Sequence, residues 1–281
     1  MPTFRTAAFA TAAAALALAA SPAAAQDDTR TSYDGFYVAG SIGAAFQNND
    51  RRDTVLFDIN GDGVYGDTVT TTTGANAFSP GFCNGKANAA IVGGLCKKDD
   101  NDLEYAIKVG MDGHLTDHFV VGVVLEGSKT DLDDGTSAFS TTPASYTFVR
   151  GLDYAISARG RFGFTPDGSG LFYVTGGPSY AQLDHDFTTT NTANTFDQRG
   201  GDRAWGYQMG GGVEFTLAQG LGVGIEYLYS KYDDEDYFVH IERGTAAATN
   251  PFIRQFGATD FHPSDRDLDF HAIRVNAIYK F

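Results

Sequence analysis

Oxygen-bearing side chains are concentrated in the acidic segment that begins at Asp58 and ends at Asp67. Asp58, Asn60 and Asp62 stand at the first, third and fifth positions of a calcium-loop pattern, and a glycine follows where such a loop turns sharply. The twelfth position lacks the usual bidentate Glu, although Asp67 at the tenth position could substitute. We predict a weak calcium site, with an ordinary Asp/Gly turn as the alternative; its candidate residues are Asp58, Asn60, Asp62, Val64 and Asp67.

The chain has two cysteines, Cys83 and Cys96. In an exported protein this pair predicts a disulfide, because cysteines oxidise outside the cytoplasm. The bond would restrain a loop of low apolar content, stabilising it by about 3 kcal/mol. A metal site is the weaker alternative, since no histidine lies nearby to complete a set of ligands.

The six histidines are scattered, and none has an obvious serine or aspartate partner in the arrangements that hydrolases use. We therefore predict a protein that is not an enzyme. A lipid or peptide hydrolase, assembled from residues of distant loops, is the less favoured alternative.

Composition excludes several classes of protein. The chain of 281 residues carries a net charge of −15, which argues against a nucleic-acid partner because phosphates require a basic face. The 42% of apolar residues argue against global disorder. The 34 glycines and the 13% of aromatic residues favour a β-sheet protein with tight turns.

The first 25 residues have the pattern of a cleaved signal peptide: Arg5, then an Ala-rich apolar run, then small residues before Gln26. A membrane anchor is the alternative. After this segment no apolar run approaches the ~20 residues that a membrane-spanning helix needs. The remaining chain, 26–281, is predicted to be one exported domain, either soluble or a closed outer-membrane barrel.

Period-two alternation of apolar and polar residues favours the barrel. It occurs in eight segments, each long enough to cross a membrane as a tilted strand. The polar face is mostly Gly, Ser and Ala with a few charges of both signs, as a crowded barrel interior requires; a soluble sandwich would expose more Lys, Glu and Thr. The segments are approximately 34–46, 103–113, 119–128, 152–162, 172–180, 205–215, 221–230 and 273–281.

The connections between these segments alternate in length. Short turns at 115–118, 165–170 and 217–220 alternate with long connections at 47–101, 129–148, 183–202 and 231–266. This alternation is typical of outer-membrane barrels, with short periplasmic turns and long extracellular loops. We predict an all-β fold: an eight-stranded antiparallel transmembrane up-and-down β-barrel with four long extracellular loops. Ten strands remain an alternative if 54–58 and 64–72 pair within the bilayer.

Three strand motifs resemble the OmpA-like and opacity-type small outer-membrane barrels, and in particular the porin-like surface antigens of alphaproteobacteria. The motifs are Tyr-Asp-Gly-Phe-Tyr-Val-Ala-Gly from Tyr33, Gly-Val-Gly-Ile-Glu-Tyr-Leu-Tyr from Gly222, and the C-terminal strand that ends in Phe281. The resemblance implies that Tyr279 and Phe281 form the signal that the barrel-assembly machinery reads. Because many activities occur on this fold, the resemblance implies little about function.

Charged residues on the inward face of the predicted strands are nearly balanced in sign, and Leu152 is placed on the opposite, outward face. The inward charges are Glu104, Lys108, Asp112, Glu126, Asp153, Arg159, Arg161, Glu214, Glu226, Arg274 and Lys280. Counting from the periplasmic ends predicts a Glu226–Arg274 contact and a cluster of Lys108, Glu126 and Arg159. The alternative is that each charge contacts only water in the lumen.

These observations predict a non-enzymatic surface barrel of the outer membrane that supports the envelope and uses its loops for interactions. A narrow porin-like channel for small polar solutes is the alternative, although a lumen of eight strands is normally filled by side chains. The predicted partners are outer-membrane lipid, lipopolysaccharide, the assembly machinery and an unidentified surface ligand. Calcium is the one cofactor predicted.

Overall fold

The structure, a computed structural model, describes residues 33–47, 53–78, 81–82, 97, 99–142, 144–166, 168–218 and 220–281. Eight long strands form a closed antiparallel barrel, as the alternation predicted. They are β1 (Gly35–Phe46), β4 (Asp102–His114), β5 (Phe119–Thr130), β7 (Ala144–Phe164), β8 (Gly170–Thr189), β10 (Arg203–Ala218), β11 (Leu221–Asp233) and β14 (Asp267–Lys280).

Each barrel strand pairs with the barrel strands that precede and follow it in sequence, and β1 pairs with β14 to close the ring. The closing register sets Tyr37 opposite Lys280 and Phe46 opposite His271. Closure leaves no free edge along the ring, which is what a sheet requires where no water can satisfy its backbone groups.

The two faces of the barrel strands follow the alternation in most positions. Leu103, Ile107, Val123 and Ile225 are more than half exposed and point outward, where lipid would cover them. Lys108 and other polar residues of the opposite face are buried in the lumen. The apolar face is therefore the outer one, contrary to what a soluble sandwich would show.

A β-bulge in β7 reverses the faces of its upper half. Leu152 pairs with Leu183 and Tyr154 with Gln182, so Asp153 has no partner on β8. The sequence alternation placed Asp153 inward and Leu152 outward, and both assignments are wrong: Asp153 is exposed and Leu152 is buried. One extra residue on one strand shifts the two-residue period by one position, and every side chain beyond it changes face.

The long connections are more regular than the sequence pattern indicated. Three of them contribute short strands to a second sheet: β2 (Val55–Asp58), β9 (Thr195–Arg199), and the pair β12 (Phe238–Glu242) and β13 (Thr259–Pro263). These pair in the order β2-β13-β12-β9 as a second sheet. Two further strands, β3 (Gly81–Phe82) and β6 (Asp133–Ser140), extend the barrel sheet beyond β7. We call the second sheet, β6 and the upper halves of β7 and β8 the cap.

The ten-strand alternative is wrong. Segment 54–58 supplies β2, which pairs with β13 in the cap rather than with a barrel strand. Segment 64–72 contributes only an isolated bridge between Thr70 and Asn76. Apolar residues of β2 pack inside the cap, which explains why this segment also alternates.

In the described part of the chain, no helix is long and apolar enough to cross a membrane.

Candidate functional site

Glu126 on β5 is the centre of a buried ion-pair network in the lumen. Its two carboxylate oxygens lie 2.8 and 2.9 Å from the guanidinium of Arg274, and its Oε2 lies 2.6 Å from Arg159. The ammonium of Lys108 is 3.5 Å from the same oxygen. Arg159 lies opposite Val124 rather than level with Glu126, so its long side chain reaches the carboxylate diagonally.

Glu226 joins the same network from the other side of the lumen. It lies directly opposite Arg274 in the β11–β14 register, and their side chains are 2.7 Å apart. Its carboxylate also accepts hydrogen bonds from Lys108 at 2.5 Å and from the hydroxyl of Tyr173 at 3.1 Å. The sequence predicted the Glu226–Arg274 contact separately from the cluster of Lys108, Glu126 and Arg159. In the structure they form one cluster. We call Glu104, Lys108, Glu126, Arg159, Glu226 and Arg274 the lumen network.

A smaller charged group fills the periplasmic half of the lumen. The Arg161 guanidinium lies 2.9 Å from Glu214 and 3.4 Å from Asp112, and it donates a hydrogen bond to Tyr37 at 2.7 Å. Lys280 lies 4.0 Å from Glu214. With the lumen network, this makes five acidic and five basic side chains among the described residues of the lumen below its upper end, so these charges balance and the acidic excess of the sequence lies elsewhere.

Tyrosine rings fill the lumen between these charges. Tyr37 pairs with Gly110 and lies over it so closely that a Cβ at Gly110 would be 2.3 Å from the ring. The Arg161 guanidinium stands 4.1 Å from the centre of the Tyr173 ring. Glycine is therefore needed at Gly110 to leave space for the ring, which explains part of the abundance of small residues on the inner face.

An apolar layer lies in the lumen at the upper ends of the barrel strands. Its larger members are Leu152, Leu183, Tyr232, Leu268 and Phe270, all fully or almost fully buried. The hydroxyl of Tyr232 is paired with Ser179 below it. Leu152 belongs to this layer only because the bulge turns it inward.

The cap has an aromatic core of its own. Phe57, Phe78, Tyr146, Phe252 and Phe261 contact one another with ring centres between 4.6 and 6.4 Å apart. They come from β2, β7 and β13, from the segment that follows β2, and from the connection between β12 and β13. The cap is therefore a packed structure rather than a set of independent loops.

Arg150 anchors the cap to the mouth of the barrel. Its guanidinium contacts Asp134 at 2.5 Å and Asp234 at 3.2 Å. His185 lies 2.9 Å from Asp234 and stacks on Tyr237 with ring centres 4.0 Å apart. Burial raises the pKa of Tyr237. The sequence pattern did not predict this group, because the bulge shifts the alternation of inward and outward residues by one position. Its only signal was that Tyr146, Phe148 and Arg150 are spaced two residues apart and therefore share one face of the strand.

The segment predicted to bind calcium forms a tight loop after β2. Both carboxylate oxygens of Asp58 accept backbone N–H bonds, from Gly61 at 2.7 Å and from Gly63 at 2.8 Å among others. Asp67 Oδ2 accepts the N–H of Ile59 at 3.0 Å. The side chain of Val64 is exposed, and Asn60 bonds to Asp62. Within the described ranges, no three His, Cys, Asp or Glu are grouped to hold a metal. Calcium binding here stays a prediction.

The other predicted features also stay predictions. Cys83, Cys96 and the signal segment 1–25 lie outside the described residues, so the disulfide and the cleavage stay predictions. Tyr279 and Phe281 are exposed beside each other at the periplasmic end, with ring centres 5.1 Å apart. Their proposed role in assembly also stays a prediction.

A closed eight-stranded barrel with an apolar outer surface, a charge-filled lumen and long connections on one rim defines an outer-membrane β-barrel protein. The sequence agrees, because the family described as outer membrane protein beta-barrel domain matches residues 10–281. The chain belongs to this family, and its location is the outer membrane.

The chain is also similar to two relatives and to two solved structures. The chain is 22% identical over 231 residues to the 31 kDa outer-membrane immunogenic protein of Brucella melitensis, and equally to that of Brucella suis; the match covers 76% of this chain and 85% of each relative. Among solved structures, OprG from Pseudomonas aeruginosa is 13% identical with a TM-score of 0.48, covering 90% of this chain and all of that one. Ail of Yersinia pestis is 12% identical with a TM-score of 0.31, covering 88% of this chain and all of that one.

Proposed function

We propose that this protein is a non-conducting, non-enzymatic surface barrel that supports the envelope and interacts through its cap. The observation that carries the proposal is the filling of the lumen. A path along the axis would have to cross the lower charged group, the lumen network and the apolar layer in turn. An eight-stranded barrel encloses only enough space for its own side chains, and here those side chains are bonded to one another.

The described histidines of the cap support a role without catalysis. Ring nitrogens of His185 and His240 contact Asp carboxylates, and Nδ1 of His262 contacts a backbone carbonyl oxygen. A hydrolase of the Ser-His type needs its histidine bonded to a nucleophile. The contacts that these three histidines make are to carboxylate and carbonyl oxygens, and none of these contacts is to a hydroxyl or thiol nucleophile.

The distribution of charge supports a surface role. Because the described charges of the lumen balance, the acidic excess of the sequence lies among the other residues, which include those of the cap. Divalent cations would bridge such a surface to the phosphates of lipopolysaccharide. The unidentified surface ligand would meet the same acidic cap, and Tyr279 with Phe281 would direct insertion by the assembly machinery.

Conductance across a planar bilayer tests the proposal. We expect refolded wild-type protein to show no steady open level. Phe270→Ser with Tyr232→Ser should wet the apolar layer yet leave the bilayer sealed, because the lumen network still blocks the axis. Tyr227→Ser, on the lipid-facing surface, is the matched control. A reproducible open level of the wild type would favour the alternative, a narrow channel for small polar solutes.

A further inference from the structure

The second sheet has one apolar face and one charged face. Val239 and Ile241 of β12 are fully buried in the core of the cap. His240 and Glu242 alternate with them along the strand and therefore lie on the opposite face. The register sets Asp260 of β13 directly opposite His240, and residues that stand opposite each other share a face. The charged face thus brings one imidazole together with two carboxylates.

Asp260 fixes the orientation of the His240 ring. Its Oδ1 contacts Nδ1 of the imidazole. An ionised carboxylate can only accept, so Nδ1 carries a hydrogen and the second ring nitrogen, Nε2, is the one left to coordinate. Histidines that bind metal ions in proteins almost always donate their other ring N–H to a carboxylate or carbonyl oxygen in this way. His240 therefore has the hydrogen-bonding arrangement of a metal ligand.

Glu242 supplies a second ligand atom. Its Oε1 lies 3.7 Å from Nε2 of His240, which is too long for a hydrogen bond. A tetrahedral ion that both atoms bind at about 2.1 Å would hold them about 3.4 Å apart. The two atoms are therefore already close to the spacing that one shared ion requires. The side chain of Glu242 is 59% exposed, so an ion can reach this spacing from solvent.

The surrounding charges favour a cation. Asp197 of β9 lies opposite His240, and Asp58 of β2 lies opposite Asp260, so further carboxylates extend along the same face. The Nε of Arg199 lies 2.9 Å from Asp197 and offsets part of this negative charge. Both side chains of that pair are exposed, which leaves the pair weak.

We propose that His240 and Glu242 bind a divalent transition-metal ion such as Zn²⁺ on the charged face of the second sheet, with Asp260 as the residue that positions the imidazole. An imidazole nitrogen suits such ions, whereas Ca²⁺ and Mg²⁺ take oxygen ligands. Because the described residues contain no group of three metal-binding side chains, the site has two protein ligands, and its other coordination positions are open to water or to a partner. It is separate from the calcium loop and does not depend on whether the lumen conducts.

Calorimetric titration of Zn²⁺ into the full mature protein, folded in detergent and oxidised, tests the site. Millimolar Ca²⁺ in the buffer occupies any site made of oxygen ligands alone. We expect Zn²⁺ to bind in the presence and in the absence of this Ca²⁺. No binding of Zn²⁺, or binding that Ca²⁺ abolishes, would overturn the proposal.

Variants locate the site. Asp260→Ala keeps both ligands but removes the acceptor that orients the ring, and should weaken Zn²⁺ binding about tenfold. His240→Gln and Glu242→Gln each remove one ligand and should weaken binding at least as much. His114→Gln, which breaks a histidine–aspartate pair outside the cap, is the matched control and should bind Zn²⁺ as the wild type does.

Folding of each variant is checked independently of metal binding. Heat-modifiable migration on a gel reports the barrel, and resistance to protease reports the cap. Because Glu242 is exposed at the end of β12, Glu242→Gln should fold even if changes at His240 or Asp260 disturb the sheet. Unchanged Zn²⁺ affinity in folded Glu242→Gln, or in folded His240→Gln, would refute the assignment.

Discussion

At the scale of single residues, Arg274 contacts more carboxylates than any other basic side chain of the described lumen. Its guanidinium is fully buried and contacts Glu126, Glu226 and, at 3.4 Å, Glu104. Three carboxylates around one guanidinium are tolerable only because Lys108 and Arg159 lie beside them. Removing Arg274 would leave several buried negative charges without sufficient compensation.

We therefore expect Arg274→Ala to destabilise the folded barrel by ~3–5 kcal/mol in urea. Adding Glu126→Gln should restore more stability than adding Glu226→Gln. Glu226 keeps its short contact with Lys108, whereas Glu126 loses two of its three shortest contacts and keeps the one with Arg159. Lys129→Ala, which breaks an exposed pair with Asp153, is the control and should change stability by less than ~1 kcal/mol. Strictly additive losses in both double-mutant cycles would exclude the coupling.

A second prediction at this scale concerns His262 and pH. Burial lowers the pKa of its imidazole below 6.5 in the folded cap, while the unfolded chain keeps the ordinary value. The unfolded state then binds more protons, so the cap keeps its stability above about pH 6.5 and loses it as the pH falls below that value. Protease cleavage of the wild-type cap should rise as the pH falls across this range, and the rise should be smaller in His262→Phe. Identical profiles of the two proteins would contradict this assignment.

At the scale of elements, the bulge at Asp153 decides what the upper half of β7 does. Below it, Ser157, Arg159 and Arg161 face the lumen; above it, Leu152 and Arg150 do. Asp153 itself faces outward and bonds to Lys129. The bulge thus lets one strand supply both the lumen network and the anchor of the cap.

Deleting Asp153 should therefore be far more damaging than replacing it. The deletion would turn Arg150 and the aromatic residues above it outward and would strand Asp134 and Asp234, which we expect to cost at least ~3 kcal/mol and to expose the cap to protease. Asp153→Ala keeps the chain length and should fold normally. A deletion variant with a protease-resistant cap would show that the register can adjust elsewhere.

The loop from Asp58 to Asp67 follows β2, which lies at the edge of the cap. If calcium binds there, chelation should increase proteolysis near Gly61 in oxidised protein, because the carboxylates would lose the ion that offsets their repulsion. Asp62→Asn should reduce the difference. Equal cleavage rates with and without calcium would leave a turn held only by its backbone hydrogen bonds.

At the scale of the whole molecule, the barrel and the cap are held by different interactions. The barrel is closed by a continuous ring of backbone hydrogen bonds and filled by neutralised charges. The cap is held by a packed aromatic core and by Arg150. Detergent should destabilise the cap before the barrel. It only replaces the lipid around the barrel, but it competes directly for the aromatic side chains of the cap core.

We expect unboiled protein in SDS to migrate faster than boiled protein, since the closed ring keeps the chain compact until heat opens it. In milder detergent the cap should become accessible to protease before the barrel loses this compact form. A protein that stays soluble without detergent and shows no shift on boiling would contradict the membrane assignment. Phe261→Ala, in the cap core, should advance cap cleavage without changing the gel shift.

Much of this protein could be read from its sequence because the relevant signals are local. Alternation along a strand depends on a period of two residues, so the barrel strands, most of their faces and the lumen charges other than the misassigned Asp153 were available without tertiary information. Alternating connection lengths identified the two rims. The pairing of Glu226 with Arg274 followed from counting along neighbouring strands that end at one rim.

The tertiary structure decided what depends on contacts between distant segments. A single unpaired residue at Asp153 leaves no mark in an alternation that is already imperfect, yet it reverses half a strand. The cap core joins Phe57, Tyr146 and Phe261, which lie far apart in the chain and have no shared period. Which oxygen meets which guanidinium depends on side-chain reach across the lumen, as the diagonal contact of Arg159 shows. Local periodicity allows several registers, faces and side-chain partners equally well. Packing between distant segments determines which of them the protein adopts.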